Sequence, residues 1–251
     1  MIVLGFTGPI GHGKSTFSAA LHKLEPSHVH LESSMIIGEV VEALHASLDK
    51  VPDRDDIDSI NNWLRSLPAI LLQKIHVKCT FDQIKLDPDR VIRHPIEYEK
   101  LFLHIDNIAN NPELLRQKIT LDNKEEYRPI LQWLGGYLVR SIEPGIWYEE
   151  IVRRAKTAMQ QGVAMCTVGG LRFPNDATIL RQINAKIIKV YRPGHLQYDA
   201  MDPTERERDN IKVDVTIVSD AGIDEVTTCA ECFMKDLKDD KLKKTYYTSH
   251  C

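Results

Sequence analysis

A short apolar segment that leads straight into a glycine-rich loop constrains the fold of this chain more than any other feature. Residues 2–7 are almost all apolar, which is typical of a strand buried on both faces of a parallel sheet. The segment Gly8-Pro-Ile-Gly-His-Gly-Lys-Ser-Thr16 follows and satisfies the pattern G-x-x-x-x-G-K-[ST]. Helical spacing runs from Lys14 to Leu24 and ends before Pro26. A strand, this loop and a helix in that order predict a phosphate-binding loop within an α/β domain.

The residue types in the loop suit ATP or GTP bound with Mg²⁺. Glycines at three positions let the backbone curl around an anion with its N–H groups pointing inward. The Lys14 ammonium carries positive charge toward the β- and γ-phosphates, and the Ser15 hydroxyl is placed to bind Mg²⁺. The helix N-terminus adds its partial positive charge. We therefore predict that the nucleotide and the metal are bound by Gly8, Gly11, His12, Gly13, Lys14, Ser15 and Thr16.

The rest of the chain continues the alternation of strands and helices. Segments 163–168, 186–191 and 213–218 read as strands with helical segments between them, which predicts parallel β-α units with right-handed crossovers. Prolines and many charges between residues 79 and 123 indicate short pieces outside the sheet. We predict one domain over residues 1–251, with 49–123 as a helical insertion or acceptor-side cap.

Composition and charge exclude several classes of protein. The net charge of −4 provides no overall positive field that would draw the chain onto nucleic acid or an acidic membrane. No apolar run approaches the roughly 20 residues of a membrane-spanning helix, and the first residues lack the charged region of a signal peptide. We expect a cytoplasmic protein (in the host cytoplasm if phage-encoded) with no membrane partner, and a homodimer stays open. The five cysteines are an odd number, and Cys229 and Cys232 lie in a helical pattern that favours packing over zinc binding.

The phosphate loop does not by itself name the reaction, but the missing motifs narrow it. The Asn-Lys-x-Asp segment with which GTPases read guanine does not occur in the sequence. An ATPase usually places a carboxylate for Mg²⁺ after an apolar strand, whereas the strand ending at Val168 is followed by Gly169 and Gly170. These observations favour a small ATP-dependent kinase with a P-loop kinase fold, in which a parallel sheet is flanked by helices.

One candidate for the acceptor side surrounds Trp133 in the helical segment 125–140. Arg128 and Arg140 bracket this tryptophan, and Trp147 follows shortly after. A guanidinium can bind a phosphate through two hydrogen bonds, and an indole offers a face for a nucleobase. The alternative, equally supported by the sequence, is a Trp133 side chain in the core with both arginines in solvent.

Two further candidates follow predicted strands. Arg172 lies in the turn after strand 163–168, where ligands gather in open α/β sheets, while Asn175 or Asp176 could instead cap the next helix. Arg192 leaves the next strand and enters a charged loop that includes Glu205. That loop either closes over the phosphates or is a solvated turn.

Taken together, these motifs resemble the phage-type deoxynucleoside monophosphate kinases, within the nucleoside monophosphate kinase group of P-loop proteins. The likeness rests on the phosphate loop, on Arg128-Pro-Ile-Leu-Gln-Trp-Leu-Gly135 with Trp147, and on Arg172 in its turn. It continues through 185–194, Thr204-Glu205 and 213–220, so that 125–237 follows the family order.

The resemblance implies transfer of the γ-phosphate of ATP to a deoxynucleoside monophosphate, a small-molecule substrate, with Mg²⁺ as cofactor. Lys14 and Ser15 would then serve ATP and Mg²⁺. Arg128, Trp133 and Arg172 would face the acceptor nucleotide, and the segment from Arg192 to Glu205 would form the lid and the base-side loop.

The sequence departs from the family pattern where Gly170 replaces an aspartate, and near Asp202, where a histidine is absent. Glu32, just after a short predicted strand at residues 29–31, is our candidate for the missing carboxylate, which makes Lys14, Arg172 and Glu32 the predicted catalytic residues. Two other functions stay open. One is phosphorylation of a hydroxymethylated base, such as 5-hydroxymethyluracil, within phage DNA, and the other is nucleotide binding without catalysis.

Overall fold

The computed structural model describes residues 1–195 and 207–250. Two compact units divide the chain. The first, called here the sheet unit, comprises residues 1–32 and the described residues from 151 onward. The second, called the helical unit, comprises residues 33–150. It extends beyond the predicted insertion 49–123 at both ends, and the assignment of the whole chain to one domain stays a prediction.

The sheet unit contains six parallel strands, which confirms the predicted α/β class. Their order across the sheet is β2-β3-β1-β4-β5-β6, and all neighbouring pairs are parallel. The sixth strand was not predicted, because it is very short and lies in a lysine-rich segment. The strands are β1 Ile2–Thr7, β2 His28–Glu32, β3 Met165–Gly169, β4 Lys186–Tyr191, β5 Val215–Val218 and β6 Thr245–Tyr247.

Helices cover both faces of this sheet because alternate residues of the central strand point to opposite sides. The helices of the sheet unit are α1 Lys14–Leu24, α9 Ile146–Gln160, which begins in the helical unit, α10 Pro174–Arg181 and α11 Ile223–Lys238. On one face, Leu4 and Phe6 of β1 belong to a buried cluster with Phe17 of α1 and Phe233 of α11. On the other face, the Cβ that Gly5 lacks would lie 3.0 Å from methyl carbons of Leu180 and Ile187.

The helical unit consists of helices joined by short connections. They are α2 Ser33–Ala46, α3 Ile57–Leu64, α4 Leu67–Ile75, α5 Phe81–Ile84, α6 Pro88–Arg93, α7 Pro95–Asn110, a 3-10 turn Pro112–Leu115, α8 Arg128–Ser141 and the start of α9. The expectation of short pieces between residues 79 and 123 was wrong for α7, which has 16 residues. Pro88, Pro95 and Pro112 each lie in the first turn of a helix or 3-10 turn, where a missing N–H costs no hydrogen bond.

A buried pair of histidines occupies the interior of the helical unit. The Nε2 atoms of His45 on α2 and His104 on α7 lie 2.9 Å apart, with their rings parallel within 6°. Both side chains are almost fully buried. Burial lowers the pKa of His45 to about 4 and that of His104 to about 3, because a charged imidazole would lose its hydration there. Both rings are therefore neutral at physiological pH.

Across residues 1–195 and 207–250, every helix is too short or too polar to cross a membrane.

Candidate functional site: the phosphate loop and the carboxyl edge of the sheet

The loop between β1 and α1 has the backbone geometry that its glycines predict. Gly8, Gly11 and Gly13 have φ angles of 133°, 79° and 92°, in the region that side chains other than glycine rarely adopt. A Cβ on Gly8 would lie 2.2 Å from the carbonyl oxygen of Val190 on β4, so this position excludes any side chain. The loop is therefore held against the end of β4 by direct backbone contact.

Helix α1 begins directly after this loop and presents an uncapped N-terminus. No side chain accepts a hydrogen bond at its N-cap, Gly13, and its first turn contains no acidic residue. The first N–H groups of a helix without a cap, together with the helix dipole, favour an anion at this end. Ser15 is exposed in this first turn. The Lys14 ammonium donates hydrogen bonds of 2.7 Å to the carbonyl oxygens of Gly8 and Pro9, which keeps its charge beside the loop.

His12, by contrast, is directed into the protein. Its side chain is fully buried, and its Nδ1 accepts a hydrogen bond of 2.9 Å from the backbone N–H of Arg192. Its ring centroid lies 5.6 Å from that of Tyr191 and 5.3 Å from that of His195. Burial, reinforced by electrostatic interactions with His195, Lys14, Arg208 and Arg192, lowers the pKa of His12 to about 4. His12, which was predicted to bind the nucleotide, is thus a neutral, buried ring that is hydrogen-bonded to Arg192, the residue after β4.

Two neighbours of the loop were missed by sequence reasoning. A Cβ on Gly11 would lie 2.7 Å from Nε2 of His195, so the histidine ring lies close to this exposed glycine. A Cβ on Gly13 would lie 3.5 Å from the hydroxyl of Ser219, which directly follows β5. Their position in the sequence could have identified them, because each comes shortly after a strand of a parallel sheet, where ligands gather. The turn Arg192-Pro-Gly-His195, closed by a backbone hydrogen bond of 3.4 Å, adds a second signal for the histidine.

At the end of β3, two glycines stand where a carboxylate would be expected, and Glu32 lies beside them. Glu32 is the register partner of Gly169 across the β2-β3 pair. A Cβ on Gly169 would lie 3.4 Å from Cγ of Glu32 and 3.3 Å from Cε1 of His30. The Glu32 side chain therefore lies next to the space that a side chain at the end of β3 would fill. The selection of Glu32 as the replacing carboxylate stays a prediction.

Arg172 lies at the carboxyl edge of the same sheet, in the turn between β3 and α10. Oδ2 of Asp176 accepts hydrogen bonds from the backbone N–H groups of Arg172 and Phe173, at 3.1 and 3.0 Å. Burial raises the pKa of Asp176 to about 6, against the opposing effect of these hydrogen bonds and of the Arg172 charge. Asp176 thus has the capping role that was the alternative for this residue, and it also fixes the backbone that carries Arg172.

The predicted acceptor residues belong to the helical unit. Trp133 is 3% exposed and stacked on Tyr137 with centroids 4.9 Å apart, so its ring offers almost no surface to a nucleobase in this structure. Nε1 of Trp133 has no hydrogen-bond partner among the residues described. Trp147 is also buried and donates to the carbonyl oxygen of Gly135 at 3.1 Å. Arg140 is exposed, and exposed Arg128 pairs with Glu125 at 2.7 Å. The buried alternative for Trp133 describes its present position.

Glu205, the predicted base-side residue, lies outside the described residues. Within 1–195 and 207–250, no group of three or more His, Cys, Asp or Glu side chains could hold a metal ion. Cys229, in the segment with zinc-like spacing, is buried in the core on α11.

These features define an α/β protein with a parallel sheet flanked by helices and a phosphate loop, compatible with a P-loop kinase fold. No family model matches the chain. A curated protein of Acanthamoeba polyphaga mimivirus, named "Putative deoxynucleotide monophosphate kinase", is 28% identical over 114 residues. The match covers 39% of this chain and 55% of that protein, so the chain spans little more than half the length of its relative.

Proposed function

We propose that this chain is a nucleotide kinase that transfers the γ-phosphate of ATP to a deoxynucleoside monophosphate. An oxygen of the acceptor phosphate forms a bond to the γ-phosphorus as the bond from that phosphorus to the β,γ-bridging oxygen breaks. The products are ADP and the deoxynucleoside diphosphate. Such transfers need little proton chemistry, because positioning of the two phosphates and neutralisation of their charge supply most of the acceleration.

The geometry of the phosphate loop carries this proposal. Three glycines with positive φ, an uncapped helix N-terminus and the Lys14 ammonium come together at one edge of the sheet. Arg172 and Arg192 follow β3 and β4, which end at this same edge. The name of the mimivirus relative and the order of motifs over 125–237 support a nucleotide as the acceptor.

The residues present fit the Mg²⁺ that ATP carries. Hard oxygen ligands suit this ion, which usually keeps several waters and takes one or two protein ligands beside the phosphates. The Ser15 hydroxyl and the Glu32 carboxylate are such ligands and would hold it. When bound, Mg²⁺ neutralises phosphate charge, a task that Lys14 and Arg192 share in this proposal.

On the acceptor side, we propose that Arg172 contacts the transferred phosphate and that Arg128 and Arg140 bind the phosphate of the acceptor. Both arginines of the helical unit are exposed, and Arg128 would exchange its exposed pairing with Glu125 for two-point binding of a phosphate. While Trp133 and Trp147 remain buried, they would support helix α8, which carries both arginines, and would not stack on the base of the acceptor.

One assay tests the proposal. ADP release from ATP and Mg²⁺ should be measured across deoxynucleoside monophosphates, ribonucleoside monophosphates and hydroxymethylated DNA. We expect stimulation by at least one deoxynucleoside monophosphate. Stimulation by DNA alone would replace this function with modification of a base in DNA, and ATP binding without stimulation by any acceptor would indicate a non-catalytic protein.

A matched pair of variants links the activity to the loop. Lys14→Ala should abolish turnover, because the loop would lose the ammonium charge that lies beside it and that would neutralise the β- and γ-phosphates. Lys23→Ala, at an exposed position on the same helix, should leave turnover unchanged. Turnover that survives Lys14→Ala would show that the loop is not the site.

A further inference from the structure

A histidine within a phosphate loop would ordinarily be expected to face the bound nucleotide, yet His12 is fully buried. It lies between Gly11 and Gly13, whose positive φ angles turn the backbone and direct the intervening side chain toward the end of β4. The ring is therefore placed between the loop and the strand end, where its polar atoms act within the protein.

The hydrogen bond to His12 joins two segments that are 180 residues apart in sequence. The backbone N–H of Arg192 donates to Nδ1, so this nitrogen carries no proton and the neutral ring has its hydrogen on Nε2. Nε2 has no hydrogen-bond partner among residues 1–195 and 207–250. A buried donor without a partner lowers the stability of the folded chain, so the ring is retained here at some expense to stability.

Aromatic neighbours fix the orientation of the ring. Tyr191 lies on one side at 5.6 Å between centroids, and His195 approaches edge-on at 5.3 Å with an interplanar angle of 79°. The low pKa of His12, caused first by burial and then by electrostatic interactions with four nearby side chains, keeps Nδ1 available as an acceptor at neutral pH. The acceptor atom therefore has a fixed place and a fixed protonation state.

We propose that His12 is a positioning residue that holds the start of the Arg192 segment against the phosphate loop and thereby places the Arg192 guanidinium for the phosphates of ATP. This inference rests on the proposed function for the role of Arg192. The hydrogen bond itself is observed in the structure and does not depend on the proposed function. A displacement of about 1 Å in a group that contacts the reacting phosphates can cost on the order of 100-fold in rate, so a single hydrogen bond at this junction has a measurable effect.

Three substitutions separate the acceptor atom from the bulk of the ring. His12→Asn keeps an acceptor oxygen one bond from Cγ, where Nδ1 is now. His12→Leu keeps apolar volume without an acceptor, and His12→Gln moves the acceptor one bond further away. We expect Asn to retain kcat within about threefold, and Leu and Gln to lose about 10- to 100-fold in kcat with a smaller change in the KM for ATP. His94→Leu, exposed and in the helical unit, is the matched control.

A second measurement does not depend on catalysis. Hydrogen exchange of the Arg192 amide reports its bond to His12 directly, and amides within β4 serve as internal controls for folding. Exchange at Arg192 should be slow in the wild type and in His12→Asn, and faster in His12→Leu and His12→Gln, with β4 unchanged in all four proteins. If no monophosphate is phosphorylated, the proposed function fails while this measurement still tests the hydrogen bond.

Three results would overturn the inference. Equal loss of kcat in all three variants would show that the ring acts through packing alone. Wild-type kcat in His12→Leu would show that the hydrogen bond has no effect on transfer. Unchanged exchange of the Arg192 amide in His12→Leu would show that the bond does not hold this segment in solution.

Discussion

Acid should destabilise the helical unit through its buried histidine pair, and the size of the effect follows from the structure. His45 and His104 have pKa values of about 4 and about 3 in the folded chain, against an ordinary value of 6.5. The unfolded chain therefore binds more protons than the folded chain between pH 6.5 and pH 4, so the free energy of unfolding falls as the pH is lowered. The contribution is complete above pH 6.5 and is lost progressively below it.

The linkage integral from pH 8 to pH 5 gives about 2 kcal/mol for each histidine, or about 4 kcal/mol for the pair. Domain stabilities of about 5–15 kcal/mol make this a large fraction of the total. Replacing both residues by leucine should remove this part of the pH dependence. The double variant His45→Leu/His104→Leu buries apolar groups and leaves neither partner of the pair without its hydrogen bond.

Tryptophan fluorescence isolates the relevant unit, because the three tryptophans of the chain, Trp63, Trp133 and Trp147, all lie within residues 33–150. Urea unfolding should be followed by this signal at several pH values from 8 to 5. The wild type should lose about 4 kcal/mol over this range and the double variant much less. His94→Gln, at an exposed position in the same unit, should behave as the wild type. If the free energy of unfolding had the same pH dependence in the wild type and the double variant, the assignment of this dependence to His45 and His104 would be refuted.

Three further predictions follow from the site. Gly8→Ala should weaken ADP binding about tenfold or more, because a Cβ there meets the Val190 carbonyl and the φ angle is strained. Gly136→Ala, with open space around its Cβ, should leave ADP binding unchanged. Calorimetric titration of both variants with ADP tests this. Glu32→Gln should raise the Mg²⁺ concentration for half-maximal turnover about tenfold at saturating ATP, and an unchanged Mg²⁺ dependence would remove Glu32 from the metal site. Asp176→Ala should lower the free energy of unfolding by about 2 kcal/mol in chemical denaturation, since two backbone N–H groups lose their acceptor, while Asp176→Asn should retain most of it.

The backbone geometry of the phosphate loop could be predicted from the sequence because it depends on residues within the loop. The positive φ angles of Gly8, Gly11 and Gly13 require glycine, and the helix that begins at Lys14 supplies the anion-binding end. None of these requirements depends on residues far away in the sequence. The parallel sheet was readable for a similar reason, since buried strands alternate with helices along the chain.

The helical unit was less readable because its signals are ambiguous in sequence. A proline in the interior of a helix ends that helix, whereas a proline in the first turn begins one. Pro95 lies in the first turn of α7, the longest helix within residues 79–123. Trp133 presented the same difficulty. An aromatic residue between two arginines suits a nucleotide site and also suits a core-facing helix whose arginines are in solvent, and its stacking on Tyr137 distinguishes the two.

His12 shows most clearly where sequence reasoning about a phosphate loop reaches its end. The pattern places this residue next to the nucleotide, and the prediction of a direct ligand follows naturally. Its actual environment depends on the Arg192-Pro-Gly-His195 turn, which brings a backbone donor and an aromatic ring to the loop from the end of the neighbouring strand β4. Strand order decides that contact, because β4 lies beside β1 although helices, two strands and the whole helical unit separate them in sequence. We therefore propose that this loop residue acts on the phosphates through the end of β4, and that the partner of its Nδ1 rather than its place in the motif defines its role.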